Sequence, residues 1–265
     1  MNPLRPVALV TGASSGIGEA LVHVFSRHGH ELALVARRED RLRALAAEIA
    51  ATGAPKPLVI AADLGKPDAA QNIAAAMAAH GVEPQFVVNN AGFGLIGEAA
   101  ALDRREQLAM IDVNVRALTE LSLTFIESLV RHRGGLLNVA SIAGFMPGPR
   151  MAVYYASKAY VLSLTEALHV EFKPHGVRVC ALCPGPVPTE FAARSGLPPS
   201  FAGSFLKVSA EDVAAAGYRG LMRGRRMVVP GALNKIGTVL AGVLPRGLVL
   251  AVINRVQAGR ARGRL

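Results

Sequence analysis

The segment "VYYASKAYVLS", residues 153–163, sets two tyrosines four and three residues ahead of Lys158. A phenol beside an ammonium can give and take a proton, provided that the two share a face. Residues four apart on a helix do so, which pairs Tyr154 with Lys158 and turns Tyr155 about 100° away, toward the core or a partner. A phenol titrates near pH ~10, and service as a base at neutral pH needs a fall of roughly 2 to 3 units, about 3 to 4 kcal/mol. An ammonium at about 4 Å contributes on the order of 4 kcal/mol at an effective dielectric of about 20. Lys158 is therefore expected to lower Tyr154 by itself.

A second chemistry-bearing segment is "VALVTGASSGIG", an apolar run followed by Gly12, Gly16 and Gly18 in a G-x-x-x-G-x-G turn. Glycines let a backbone approach a pyrophosphate, and the helix that follows offers its free N–H groups and positive dipole end to it. Whether a ribose hydroxyl pair or a 2′-phosphate is preferred depends on the end of the second apolar run, "LALVARRED". An acidic residue there would take the hydroxyls and repel the phosphate. This chain has Ala36, Arg37 and Arg38 instead, and guanidinium groups suit phosphate. The expectation is NADP(H).

These segments need a scaffold that brings them together. Apolar β-branched runs, "VALVTG", "ELALVAR", "PLVIAADL", "FVVNNAG", "GLLNVASIAG" and "VRVCALCPG", alternate with Ala/Leu-rich helical stretches. That alternation predicts an α/β fold, a doubly wound parallel sheet of Rossmann type with helices on both faces. Near-continuous apolar character in each run fits strands covered on both sides, and ligands of such sheets sit at the carboxyl ends of the strands. Residues 1–231 are read as one domain, with 190–208 as a loop able to act as a lid and 232–265 as a C-terminal extension. "RRMVVPG" is the candidate last strand and turn.

The order and types of these motifs resemble the short-chain dehydrogenase/reductase family over nearly the whole chain. "TGASSGIG", with Gly12, Ser14, Ser15, Gly16, Ile17 and Gly18, looks like its cofactor turn, although Ser15 stands where some NADP-using relatives carry a basic residue. Asp63 and Leu64 resemble its adenine contact, and "NNAG", with Asn90, Ala91 and Gly92, the turn under the nucleotide. "PGPVPT", with Pro184, Gly185, Val187 and Thr189, resembles the segment that holds the nicotinamide carboxamide. Asn114, Ser141, Tyr154 and Lys158 resemble its catalytic tetrad, in which Tyr154 and Lys158 also touch the cofactor.

The resemblance implies hydride transfer between NADP(H) and a small-molecule carbonyl or secondary alcohol. Tyr154 would act as proton donor, Ser141 would bind the substrate oxygen, Lys158 the ribose hydroxyls, and Asn114 a relay water. It also implies a homodimer or homotetramer assembled through the helices around Asn114 and Tyr154. The alternative is a nucleotide-binding sensor, or a membrane-docked regulator, that uses the fold without turnover; an intact tetrad argues against it.

Composition excludes other classes. Of the 265 residues 51% are hydrophobic, ample for a buried core. Aromatics make up only 5% and Trp is absent, and no basic recognition element interleaved with aromatics is present, so nucleic acid is not an expected partner. Cys180 and Cys183 lack a second ligand pair at metal spacing and face opposite sides of a strand, while His23, His28 and His30 cluster on and after one helix. No metal is expected. No signal-peptide pattern precedes "VALV", which points to the cytoplasm.

The charge is uneven. Of 29 Lys+Arg and 19 Asp+Glu, the residues after Asp212 hold 10 basic and no acidic ones, which accounts for the whole net +10. Between Ile236 and Ile253 runs an apolar stretch broken by Pro245 and Arg246, a poor membrane span that reads better as two short helices. Three uses are open: covering the substrate cleft of this or a second subunit, docking peripherally on an anionic membrane, or disorder in the last residues. Phe191, Leu197, Phe201, Phe205 and Leu206 suggest an apolar substrate pocket or a packed lid.

Overall fold

A computed structural model of the chain describes residues 4–196 and 208–262. Seven strands, β1 (Arg5–Thr11), β2 (Leu32–Ala36), β3 (Leu58–Ala61), β4 (Val82–Asn89), β5 (Gly135–Val139), β6 (Arg178–Leu182) and β7 (Met227–Val228), form one sheet in the order β3-β2-β1-β4-β5-β6-β7. Every pairing is parallel. Six of the strands match the six apolar runs, and β7 lies in "RRMVVPG". The direction of winding reverses between β1 and β4, whose carboxyl ends therefore open a crevice between the loops that leave them.

Helices cover both faces. On one side lie α1 (Gly16–Arg27), α2 (Glu39–Ala51) and α9 (Ala210–Met222), which bury Leu21, Phe25, Leu42, Val213 and Leu221 against Val10, Leu34 and Val88 of the sheet. Phe25 meets Tyr218 of α9 edge to face with ring centroids 4.9 Å apart. On the other side α3 (Ala69–Ala79), α5 (Leu118–Thr124), α6 (Ile126–Arg131) and α7 (Ala152–Phe172) bury Ile73, Met77, Leu121, Leu129 and Leu168. Each such side chain contributes roughly 1.5 to 3 kcal/mol. Cys180 belongs to the first layer and Cys183 to the packing on the opposite side; both are free thiols, and burial pushes each upward, Cys180 to about 12. They are core residues. No group of His, Cys, Asp and Glu suited to a metal exists among the described residues.

Three further elements shape the site. Helix α4 (Arg104–Ile111) runs into α5 through a π-helical turn at Asp112–Ala117, a local widening often found at functional positions. Helix α8 (Glu190–Ser195), N-capped by Thr189, follows β6. After Pro230 the chain forms α10 (Ala232–Val243) and α11 (Arg246–Arg262), two helices separated at Leu244 and Pro245. Leu197, Phe201, Phe205 and Leu206, and with them most of the expected lid, lie outside the described residues.

Candidate active site

Gly12 and Gly16 take φ of +65° and +60°, left-handed values that glycine adopts without penalty. A Cβ on Gly18 would stand 2.1 Å from the Gly12 carbonyl oxygen, so α1 closes on the turn only with glycine there. The "NNAG" turn holds it from below. Asn90 Nδ2 donates to the carbonyls of Thr11 at 2.9 Å and Gly12 at 3.3 Å, while Thr11 Oγ1 accepts from the backbone N–H groups of Asn90 and Ala91. The first N–H groups of α1 have no partner within the helix, and Ser15, Gly16 and Ile17 line a cleft of about 1070 Å³.

At one end of this cleft Arg38 reaches back to the glycine turn. Its Nε and Nη2 donate to Ser14 Oγ at 3.3 and 3.0 Å, and Nη1 donates to Glu190 of α8 at 2.8 Å. Arg41 donates to the other Glu190 oxygen, and hydrogen bonding from Arg38 holds the Glu190 carboxyl below its ordinary range. Arg37 lines the cleft as well, and so does Arg194, whose guanidinium lies 4.2 Å from the Phe93 ring centroid. Burial lowers the Arg194 pKa, and the charges of Arg37 and Arg38 add to that. Arg37, Arg38 and Arg194 all line the cleft, and only Arg38 is bonded to the glycine turn. Sequence reasoning missed Arg194, because nothing in "EFAARS" announces that α8 folds over the nucleotide end.

At the other end, Tyr154 and Lys158 share the inward face of α7, and both are buried. Lys158 Nζ donates to the Val139 carbonyl at 2.8 Å and lies 6.0 Å from the centroid of the Tyr154 ring. Ser141 caps the turn after β5, accepting from Ala143 N–H at 3.1 Å while its hydroxyl donates to the Pro184 carbonyl at 3.4 Å, and it acts to lower the Tyr154 pKa. The expected lowering of Tyr154 by Lys158 is not what these groups produce: burial pushes the phenol up to about 12, against the opposing effect of Ser141. Burial also brings Lys158 down to about 8. Desolvation outweighs the ammonium because the site is dry and the amine points at a carbonyl.

Asn114 sits in the π-helical turn, fully buried and outside the cleft lining. Its Nδ2 donates to the Phe93 carbonyl at 2.9 Å and to Ser157 Oγ at 3.1 Å, and its Oδ1 accepts from Phe93 N–H at 3.1 Å. A Cβ on Gly92 would meet Asn114 Oδ1 at 2.9 Å. The side chain ties the loop after β4 to α7. Of the described residues expected to contact cofactor or substrate, all but Asn114 and Gly18 line the cleft.

A family model described as short chain dehydrogenase matches residues 6–198. The chain belongs to this family. An uncharacterized oxidoreductase of Myxococcus xanthus (strain DK1622) is 34% identical to it over 252 residues, 94% of this chain and 97% of the relative. Among solved structures, a short-chain dehydrogenase from Sphingobium yanoikuyae in complex with NADPH superposes with a TM-score of 0.77 at 29% identity, over 91% of this chain and 97% of the other. One from Burkholderia phymatum in complex with NAD gives 0.79 at 25% identity, over 91% and 94%. Family membership makes the protein an oxidoreductase of alcohol and carbonyl groups, and its neighbours hold both kinds of nucleotide.

This short chain dehydrogenase closes its cleft with its own C-terminus. Ile253, Val256 and Gln257 of α11 line the cleft beside Met151, Tyr155 and Phe191. Gln257 is buried, and its Nε2 donates to the Tyr155 hydroxyl at 3.0 Å and lies 3.6 Å from Met151 Sδ. The cleft-covering use of the extension is thus realised within one chain. Tyr155, turned off the Lys158 face as the helical repeat requires, still reaches the cleft wall. Its partner is 102 residues away, so no local pattern could have linked them.

Proposed function

We propose that the protein is an NADP(H)-dependent reductase or dehydrogenase that interconverts an apolar carbonyl compound and its secondary alcohol. The observation that carries the nucleotide choice is the hydrogen bonding of Arg38 to Ser14 of the glycine turn, with Arg37 also on the cleft wall and no carboxylate at the end of β2. The dinucleotide fits the site on physical grounds: a turn that a Cβ at Gly18 would fill, unpartnered N–H groups at the start of α1, and guanidinium groups where a 2′-phosphate needs them. When bound, the nicotinamide supplies or accepts hydride. Arg38 would exchange Glu190 for phosphate oxygens.

The chain's own residues do the rest. Tyr154, protonated at neutral pH as any phenol is and held so to higher pH by its burial, donates its proton to the substrate oxygen in the reductive direction. Ser141 hydrogen-bonds the same oxygen and stabilises the charge that develops there. Lys158 binds the ribose hydroxyls. The Asn114 amide is committed to Phe93 and Ser157, so its side chain holds the loop after β4 against α7 and leaves no amide hydrogen bond for a relay water. Phe93, Ile142, Met146, Met151, Phe191 and Ile253 give the substrate end an apolar wall, which supports an apolar substrate. Exposed Leu108, Ile111, Leu123 and Tyr160 on α4, α5 and α7 support a homo-oligomer.

The test is turnover of a panel of bulky ketones with each nucleotide, followed by absorbance, in the wild type and Arg38→Ala. Loss of charge-assisted hydrogen bonds worth about 1.5 to 3 kcal/mol should raise the KM for NADPH by roughly 10- to 100-fold and leave that for NADH nearly unchanged. A wild type that prefers NADH overturns the nucleotide assignment, and a protein that binds NADPH but turns over no ketone favours the sensor.

A further inference from the structure

Helices α10 and α11 are built inside out. In α10 the buried positions are the polar Asn234 and Thr238, while Leu233, Ile236, Val239, Leu240 and Val243 face outward, each about half exposed or more. In α11 Val249 and Gln257 are buried and Leu248, Leu250 and Val252 are exposed. Ten of the seventeen exposed large apolar side chains of the described residues fall between 233 and 256. A globular helix turns its apolar stripe to the core, and apolar surface concentrated in this way marks an interaction face. The same two helices carry exposed Lys235, Arg246 and Arg255, and no Asp or Glu follows Asp212 in the sequence.

We propose that this face docks the enzyme peripherally on an anionic lipid bilayer. Charge decides between occupants. A second copy would set two cationic, acid-free faces against each other, whereas an anionic headgroup layer pairs with Lys235, Arg246 and Arg255 while Ile236, Val239, Val243 and Leu248 enter the acyl boundary. Spanning is excluded for these elements, because no described helix is long and apolar enough to cross a membrane. Docking also has a geometric consequence. The inner side of α11 lines the cleft with Ile253, Val256 and Gln257, so the helix that would rest on the bilayer is also part of the cleft wall. The docking itself is independent of the reaction assigned above.

The experiment is co-sedimentation of the full-length protein with phosphatidylcholine vesicles, with and without phosphatidylglycerol. Binding to the anionic vesicles should exceed binding to the neutral ones by tenfold or more and fall as salt rises. Each basic residue near such a surface multiplies binding about fivefold, so the double reversal Lys235→Glu with Arg246→Glu should weaken it by at least roughly 25-fold. Val239→Asp with Val243→Asp, outward and away from the cleft, should weaken it tenfold or more, with the thermal unfolding midpoint of both pairs measured to exclude misfolding. The proposal is overturned by equal binding to neutral and anionic vesicles. It is equally overturned if folded variants bind as the wild type does, or if no vesicle is bound and light scattering finds that Val239→Asp with Val243→Asp splits an oligomer, which would make a second copy the occupant.

Discussion

The Tyr155 hydroxyl and the Gln257 side-chain amide are hydrogen-bonded at 3.0 Å, joining the helix that bears Tyr154 and Lys158 to the end of the C-terminal extension. Through this contact the last helix becomes part of the wall around the reacting centre. The extension, for which cleft covering is one of the uses open from the sequence, thus shapes the cleft wall through Ile253, Val256 and Gln257.

Replacing Gln257 by Leu removes one buried hydrogen bond, worth about 1 kcal/mol net, and leaves the Tyr155 hydroxyl to find other partners. The expected result is an approximately fivefold rise in KM for bulky apolar ketones with kcat nearly unchanged, since neither residue touches the transferred proton. Tyr155→Phe should reproduce the KM effect, and the double variant should add little to either single one. A fall in kcat equal to the fall in kcat/KM would refute this division of roles.

Tyr154→Phe keeps the ring against Phe191, whose centroid is 5.4 Å away, and removes only the proton. Reduction should slow by a hundredfold or more while NADPH affinity changes little. In the wild type, a phenol held near about 12 keeps kcat/KM for reduction flat through neutral pH, whereas oxidation, which needs the phenolate, should accelerate as pH rises. Steady-state rates in both directions against pH check the point, and a reductive rate that climbs with pH would contradict it.

Much of this architecture was legible in the chain. Apolar runs such as "VALV" and "LALVA" mark strands because a parallel sheet is buried on both faces, and Gly12, Gly16 and Gly18 mark a tight turn because side chains do not fit there. The i,i+4 spacing put Tyr154 on the Lys158 face. What sequence did not reveal depends on distance and dielectric. The upward shift of Tyr154 follows from the dryness of its surroundings, which no spacing encodes, and the roles of Arg194 and Gln257 follow from where α8 and α11 fold back. Nor does any spacing show that the Asn114 amide, in a residue that the resemblance assigns to a relay water, is committed to Phe93 and Ser157.

Lys158 gives the last prediction through linkage. Its pKa is brought from 10.5 to about 8 by burial, so between those values the unfolded chain binds the proton that the native protein has released. Stability must then rise with pH across that window. The fall from 10.5 to about 8, at about 1.4 kcal/mol per pH unit, sets an upper bound of about 3.5 kcal/mol. Below pH about 8 both states hold the proton and this contribution is constant. Lys158→Met lacks the titration, so the stability of the wild type relative to the variant should increase by up to about 3.5 kcal/mol from pH about 8 to about 10.5, whatever the offset between them at neutral pH from the lost bond to the Val139 carbonyl. Urea midpoints of both proteins at the two ends of the window measure this difference. A constant gap would mean that the amine is better solvated than its burial implies, and the upward shift of Tyr154 in the same pocket would lose its cause with it.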